Sequence, residues 1–175
     1  WKTCRMNTEL AALKGTLPWT RSCFVCGEDN PHGLRLRSHV ENERVWLEYT
    51  TREADRGYLH IVHGGILTTL LDEVMTWAAI LAVRRVCVAA EITSRLKQPV
   101  KVGDRLRVEG WAAKPGKRLI LTEGRITDEK GNVSLTAEGK YIPMPADQIE
   151  LTSKDFVESP DAISPSSLLA CRQVK

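Results

Sequence analysis

The stretch from His63 to Ala82, HGGILTTLLDEVMTWAAILA, limits what this chain can fold into more than any other part of it. Ile66, Leu67, Leu70, Leu71, Val74, Met75, Trp77, Ala78, Ile80 and Leu81 cover every side of a wheel with about 3.6 residues per turn. The run therefore predicts a helix enclosed by other structure rather than one laid on a surface. Asp72 and Glu73 stand inside it. An acid in an otherwise buried helix is costly unless it is paired, solvated in a cleft or used in chemistry, so both carboxylates are candidates for function.

The neighbouring sequence supplies the enclosure. Residues 34–40 and 44–50 alternate apolar and polar, with Val45, Leu47 and Tyr49 on one face and Glu41-Asn42-Glu43 as a hairpin turn. After the helix, which should end near Ala82–Arg85, four more strands are expected at about 86–99, 105–113, 118–128 and 132–142. Turn sequences separate them. Two strands, one long helix and four strands make an α+β order, with a curved antiparallel β-sheet wrapped around a long central α-helix. Such a sheet leaves one helix flank and one sheet edge open, and a dimer that joins two sheets completes it. The expected organisation is an N-terminal extension over 1–21, the domain over 22–143 and a C-terminal tail over 144–175. A short helix is expected at Thr8–Lys14 and another after Thr152.

Composition narrows the function classes. Lys plus Arg number 25 against 22 acids, a net charge of +3, which does not point to a nucleic-acid partner. The charge-free apolar stretch Val74–Val83 is short for a bilayer span, and the N-terminus lacks a signal-peptide pattern, so no membrane partner is expected. Five cysteines, an odd number scattered through the chain, favour a reducing cytoplasmic setting over a disulfide framework.

The helix start is where chemistry is expected. Gly64 and Gly65 have no side chains to block approach, and the first amide N–H groups of a helix lack internal acceptors, so a developing oxyanion can sit in front of them. Asp72 lies seven residues after Gly65, within roughly 20° of the same helix face but about 10 Å further along the axis. One helix cannot present both groups to one carbonyl carbon. Two such helices packed antiparallel across a dimer axis can. A tight turn at His-Gly-Gly and an Asp that caps a neighbouring loop are the plainer readings of the same residues.

HGGILTTLLDE, with GY shortly before it, CFVCG and NPHGL upstream and LKQPVKVGDRLRVEG downstream, resembles the hotdog-fold thioesterase superfamily. The likeness is to the bacterial branch related to phenylacetyl-CoA thioesterases, within the wider 4-hydroxybenzoyl-CoA thioesterase superfamily, and covers roughly residues 22–143. It implies an acyl-CoA thioesterase, with the Gly64 or Gly65 N–H on the thioester carbonyl and Asp72 of the opposite subunit as general base or nucleophile. His63 shapes the turn and touches the carbonyl region. It also implies a homodimer or dimer of dimers, with coenzyme A present only as part of the substrate and no metal or other cofactor. His60 departs from the pattern, which favours a small residue there, often Gly.

Other groups are weighed beside this reading. Glu73, turned about 100° from Asp72, is expected to pair with an Arg, and ranks with His60 and Thr76 as a substrate-side candidate. Thr68, Thr69 and Thr76 are expected to bond back to helix carbonyls, although Thr76, four after Asp72, suits a water-holding role. Lys114, Lys117 and Arg118 in KPGKR are candidates for the phosphates of the CoA nucleotide. Cys23 and Cys26 form a CxxC, for which His32, His60 and His63 are the candidate partners in a zinc site; a structural loop is preferred. Asp55 and His60 have the spacing of a hotdog hydratase pair. The rival functions are thus a hydratase or dehydratase on the same fold, and a non-catalytic acyl-CoA binding or sensing module.

Overall fold

The computed structural model describes residues 13–169, and the expected helix at Thr8–Lys14 lies almost wholly outside them. Strands β1 (Gly15–Thr16), β2 (His39–Glu41) and β3 (Arg44–Thr50) come first. A small hairpin, β4 (Arg56–Tyr58) and β5 (Ile61–Val62), leads into the long helix α1 (Gly64–Val83). Strands β6 (Cys87–Leu96), β7 (Arg105–Lys114), β8 (Ile120–Asp128) and β9 (Val133–Pro143) follow, and then the short helices α2 (Ala146–Ser153) and α3 (Pro165–Leu168). Seven strands form one sheet in the order β1-β2-β3-β7-β8-β9-β6, and every pairing is antiparallel. This is the α+β arrangement that the sequence predicts.

The period-two pattern sets which face meets the helix. Val45, Leu47 and Tyr49 of β3, Leu106 and Val108 of β7, Ile120 and Ile126 of β8, and Leu135, Ala137 and Tyr141 of β9 are all buried. They close over Leu67, Leu70, Leu71, Val74, Met75 and Ala79 of α1. Gly110 and Gly124 pair across β7 and β8 beneath the middle of the helix. A Cβ on Gly110 would come within 2.9 Å of the Val74 carbonyl carbon, so glycine lets the helix sit down on the sheet. By length and hydropathy α1 is apolar enough to cross a membrane. Eleven of its residues, from Leu67 to Ala82, are nonetheless buried by the sheet and its surroundings.

Two surfaces stay open, as expected. Along α1, Gly65, Thr69, Asp72 and Thr76 form a stripe at helical spacing that is never fully covered. At the sheet edge, the ten residues of β6 have a largely exposed pattern and no outer neighbour among the described residues. The two openings adjoin: Thr68 meets Ser94 Oγ at 3.1 Å.

The hairpin turn forms as read, with Asn42 and Glu43 both at positive φ (52° and 61°). The strand expected over 34–40 shrinks to His39–Glu41. Its first part pairs elsewhere: Leu34 N donates to Phe24 O (2.8 Å) and Leu36 N to Val25 O (2.9 Å), drawing it onto the CxxC loop. At the other end, a helix precedes Thr152 and runs to Ser153, and Pro165–Leu168 adds a short turn. The segment after β9 returns along the start of the chain, with Val157 N on Trp19 O (2.9 Å) and Ile163 N on Thr16 O (2.9 Å).

Candidate active site

The helix start is closed by its own histidine. His63 is extended, and its Nδ1 accepts from Gly65 N–H at 2.9 Å, as an N-cap side chain does. An accepting Nδ1 leaves the imidazole proton on Nε2. The two glycine amides therefore differ: Gly65 N–H is taken, whereas Gly64 N–H is at the first helical position, where no internal acceptor exists. The nearest atom to a Cβ built on Gly64 is Leu96 Cδ2, at 3.0 Å. His60, in the turn of the β4–β5 hairpin, has φ 64°, which explains why a small residue is expected there: the left-handed conformation suits glycine. Beside it Tyr58 (82% exposed) and Leu59 (73% exposed) present apolar side chains to solvent next to the helix start.

Asp72 is held firmly on the open flank. Tyr141 Oη donates to Asp72 Oδ1 at 2.8 Å and Thr76 Oγ1 donates to the same oxygen at 3.1 Å. Both bonds fall on Oδ1, so Oδ2 is the oxygen left for a ligand. Burial, together with the Asp72 charge beside it, lifts the Tyr141 phenol well above the ordinary tyrosine range, so it stays protonated and donates. Thr68 and Thr69 bond back to Gly64 O (3.0 Å) and Gly65 O (2.9 Å) as expected, whereas Thr76 spends its hydroxyl on Asp72. Tyr141 escaped the sequence reading because it is 69 residues from Asp72.

Within one chain Gly64 and Asp72 stay apart, eight residues or about 12 Å along the axis. Lys114, Lys117 and Arg118 are not brought to either. They lie at and after the end of β7, near the opposite end of α1, where Lys117, Pro115 and Gly116 join Leu81, Arg84 and Arg85 around a cavity of about 630 Å³.

Glu73 points away from this flank, and no arginine among the described residues meets it, contrary to expectation. The CxxC loop does: Cys23 Sγ is 3.9 Å from Glu73 Oε2, and Cys26 Sγ lies within 4.8 Å of the carboxylate. Burial pushes the Glu73 carboxyl up to about 8, with the nearby Cys23 and Asp72 charges acting in the same direction. His32, His60 and His63 do not join the group of potential ligand atoms that Cys23, Cys26 and Glu73 form.

Asp55 is buried and committed elsewhere. It accepts from Tyr49 Oη, from Arg52 N (2.8 Å) and from the Arg52 guanidinium (3.0 Å). Burial alone would raise its carboxyl, but the Arg52 and Tyr49 hydrogen bonds outweigh that and hold it below the usual range. Its backbone carbonyl accepts from His63 N–H at 2.8 Å, which ties the 3₁₀ turn at Glu53–Asp55 to the helix start.

A long helix held in a curved antiparallel sheet, opening on glycines and carrying a carboxylate two turns later, is a hotdog fold. Residues 59–135 match the sequence model of the Thioesterase superfamily. A solved structure described as a thioesterase superfamily protein superposes with a TM-score of 0.62 at 24% identity, covering 70% of this chain. The chain spans 60% of that protein's length. The PaaI protein of E. coli, from the phenylacetic acid degradation operon, gives 0.55 at 19% identity over 59% of this chain and 74% of its own. An acyl-CoA hydrolase from Staphylococcus aureus, in complex with butyryl coenzyme A, coenzyme A and coenzyme A disulfide, gives 0.56 at 17% identity over 60% of this chain and 65% of its own. No curated protein matches the chain.

Proposed function

We propose that this protein is an acyl-CoA thioesterase whose active site is shared between two copies of the chain. The observation that carries the reading is the separation on one helix of a Gly64 N–H that finds no acceptor among the described residues and an Asp72 carboxylate that they anchor on one oxygen only. Two helices packed antiparallel would bring Gly64 of one chain opposite Asp72 of the other. The open flank of α1 and the unpaired β6 edge are the surfaces such a pairing would cover.

In that site the thioester carbonyl oxygen takes the Gly64 N–H and the positive end of the helix dipole. Asp72 Oδ2 accepts a proton from a water whose oxygen attacks the carbonyl carbon, and the oxyanion forms against the helix start. Collapse of the intermediate breaks the carbon–sulfur bond, and the thiolate of coenzyme A leaves and takes up the proton. A thiolate leaves readily, so one base and one oxyanion donor suffice without a cofactor. Tyr141 and Thr76 position the base. His63 positions the helix start, His60 and the hairpin would border the acyl group, and Lys114, Lys117 and Arg118 would meet the nucleotide phosphates. The hydratase reading loses its acid–base pair, because the Asp55 carboxylate is buried under Tyr49 and Arg52.

The test is subunit complementation. Asp72→Asn and Gly64→Ala proteins, each inactive alone in a thiol-release assay across short, long and aromatic acyl-CoAs, are mixed, unfolded and refolded together. Half of the resulting dimers are mixed, and each has one intact site, so about a quarter of wild-type activity should return. No recovery would sink the shared site. No thiol release by the wild-type protein with any acyl-CoA would sink the enzyme and leave the binding module.

A further inference from the structure

The cluster of Cys23, Cys26 and Glu73 has no part in the reaction above. Its ligand atoms, two Sγ and one carboxylate oxygen, lie within 4.8 Å of one another, with Cys23 Sγ 3.9 Å from Glu73 Oε2. That is long for a bond that would tie a thiol to a carboxylate, yet it suits two ligands of one ion. On a tetrahedral zinc, sulfur at about 2.3 Å and oxygen at about 2.0 Å stand roughly 3.5 Å apart, and two sulfurs roughly 3.8 Å apart. Adjustments of no more than about 1.3 Å close every pair.

Both sides of the cluster are built rather than incidental. The loop folds back on itself through Gly27 N–H to Cys23 O (2.9 Å), and Val25 N–H donates to Cys23 Sγ (3.3 Å), a bond that favours a thiolate sulfur. Any side chain at position 27 would strike Cys23 O at 2.4 Å and Arg21 O at 2.5 Å. The strand-like pairing of Leu34 and Leu36 then fixes the loop against the domain. From the helix comes a partly buried acid that stands beside both thiols. A carboxylate so placed is stabilised by a proton or a cation. One divalent ion would hold all three groups in their deprotonated forms with a single net negative charge left over, and thiolate ligands select a soft or borderline metal over calcium or magnesium.

We propose that Cys23, Cys26 and Glu73 bind a zinc ion, with water in the fourth position on the half-exposed side of Cys23. The ion ties the 23–27 loop to the helix turn that carries Asp72, one residue before its own ligand. It is a structural clamp beside the site and takes no part in hydrolysis.

The experiment uses the whole chain, purified with reduced thiols and without chelator after growth with added zinc, and measures metal by mass spectrometry. About one zinc per chain is expected. Replacement by cobalt should give a thiolate-to-cobalt charge-transfer band and the visible bands of a tetrahedral site. Cys23→Ser with Cys26→Ser should abolish both the metal and the band. If that double variant folds poorly, Glu73→Gln, which keeps shape, should weaken zinc affinity by at least about tenfold while circular dichroism stays unchanged. A fully reduced wild-type protein that takes up neither zinc nor cobalt overturns the proposal. So does a Cys23–Cys26 disulfide that, once reduced, still binds no metal, and unchanged affinity in Glu73→Gln removes the acid from the site.

Discussion

Replacing Tyr141 by Phe removes one oxygen from a side chain that is fully buried, so the substitution leaves packing in place and deletes the bond to Asp72. That bond is 2.8 Å long and runs from a neutral phenol to a carboxylate. A charge-assisted bond of this kind contributes about 1.5–3 kcal/mol. Asp72 is half-buried and keeps Thr76 and some access to water, which puts the expected loss at about 1–2 kcal/mol. For a domain of this size that lowers Tm by about 2–8 °C. The same deletion made in Asp72→Asn should cost less, since the acceptor is then neutral, and a double-mutant cycle over four proteins should give a coupling of about 1 kcal/mol. Activity gives an independent reading. With Oδ1 held only by Thr76, the carboxylate loses its fixed orientation, and kcat should fall about 10–100-fold while KM changes by less than about twofold. Thermal melts and thiol release measure the two effects. Additivity within about 0.3 kcal/mol would refute the geometry. Wild-type kcat in Tyr141→Phe would refute the positioning role.

Other substitutions separate neighbouring groups. Gly64→Ala meets only the tip of Leu96, which is 58% exposed and free to move; Tm should stay within about 2 °C while kcat/KM falls at least about 100-fold as the amide is shielded. Gly65→Ala places its Cβ 2.8 Å from His63 Nδ1, so it should displace the cap and cost about 1 kcal/mol in denaturant unfolding. Gly110→Ala presses on the Val74 and Met75 backbone at 2.9 and 3.0 Å and should cost about 1–3 kcal/mol, read as a lower thermal midpoint; an unchanged midpoint would show that the helix does not rest on that glycine. Asp55 has a depressed folded-state pKa, so its contribution to stability is present above its ordinary 3.8 and is lost as pH falls through the lower folded value. Asp55→Asn should therefore unfold more easily at neutral pH and show a flatter acid limb in pH-dependent melts.

What was legible in the sequence follows from what is local. The apolar wheel of 66–81, the glycines at its start and the alternation in β3, β8 and β9 each fix a structure by themselves, so the helix, the sheet and the inward faces could be read directly. Leu34 and Leu36 alternate too, but they pair with the loop before them, and alternation cannot say which neighbour a strand chooses. Tyr141 is inward by the same period as Leu135, Ala137 and Gly139; that its hydroxyl meets Asp72 depends on how β9 lies along the helix. The Arg expected beside Glu73 rested on charge alone, and the cysteine loop that takes its place is brought there by tertiary packing.

The step of about 100° between successive helix residues gives the two adjacent acids different neighbours. Asp72 falls on the stripe with Gly65, Thr69 and Thr76, which the chain leaves partly open, and its anchors come from the helix itself and from β9. Glu73 falls where the 23–27 loop covers the helix, so its environment is partly buried and sulfur-rich. The open stripe runs beside β6 at Ser94 and Leu96, the edge with no outer partner. A second chain added at that edge would extend the sheet and bring its own helix toward the stripe in the same event. On the proposed reading this couples assembly to catalysis: whatever weakens the β6 edge should reduce activity through lost dimer, with Asp72 and Gly64 themselves unaltered.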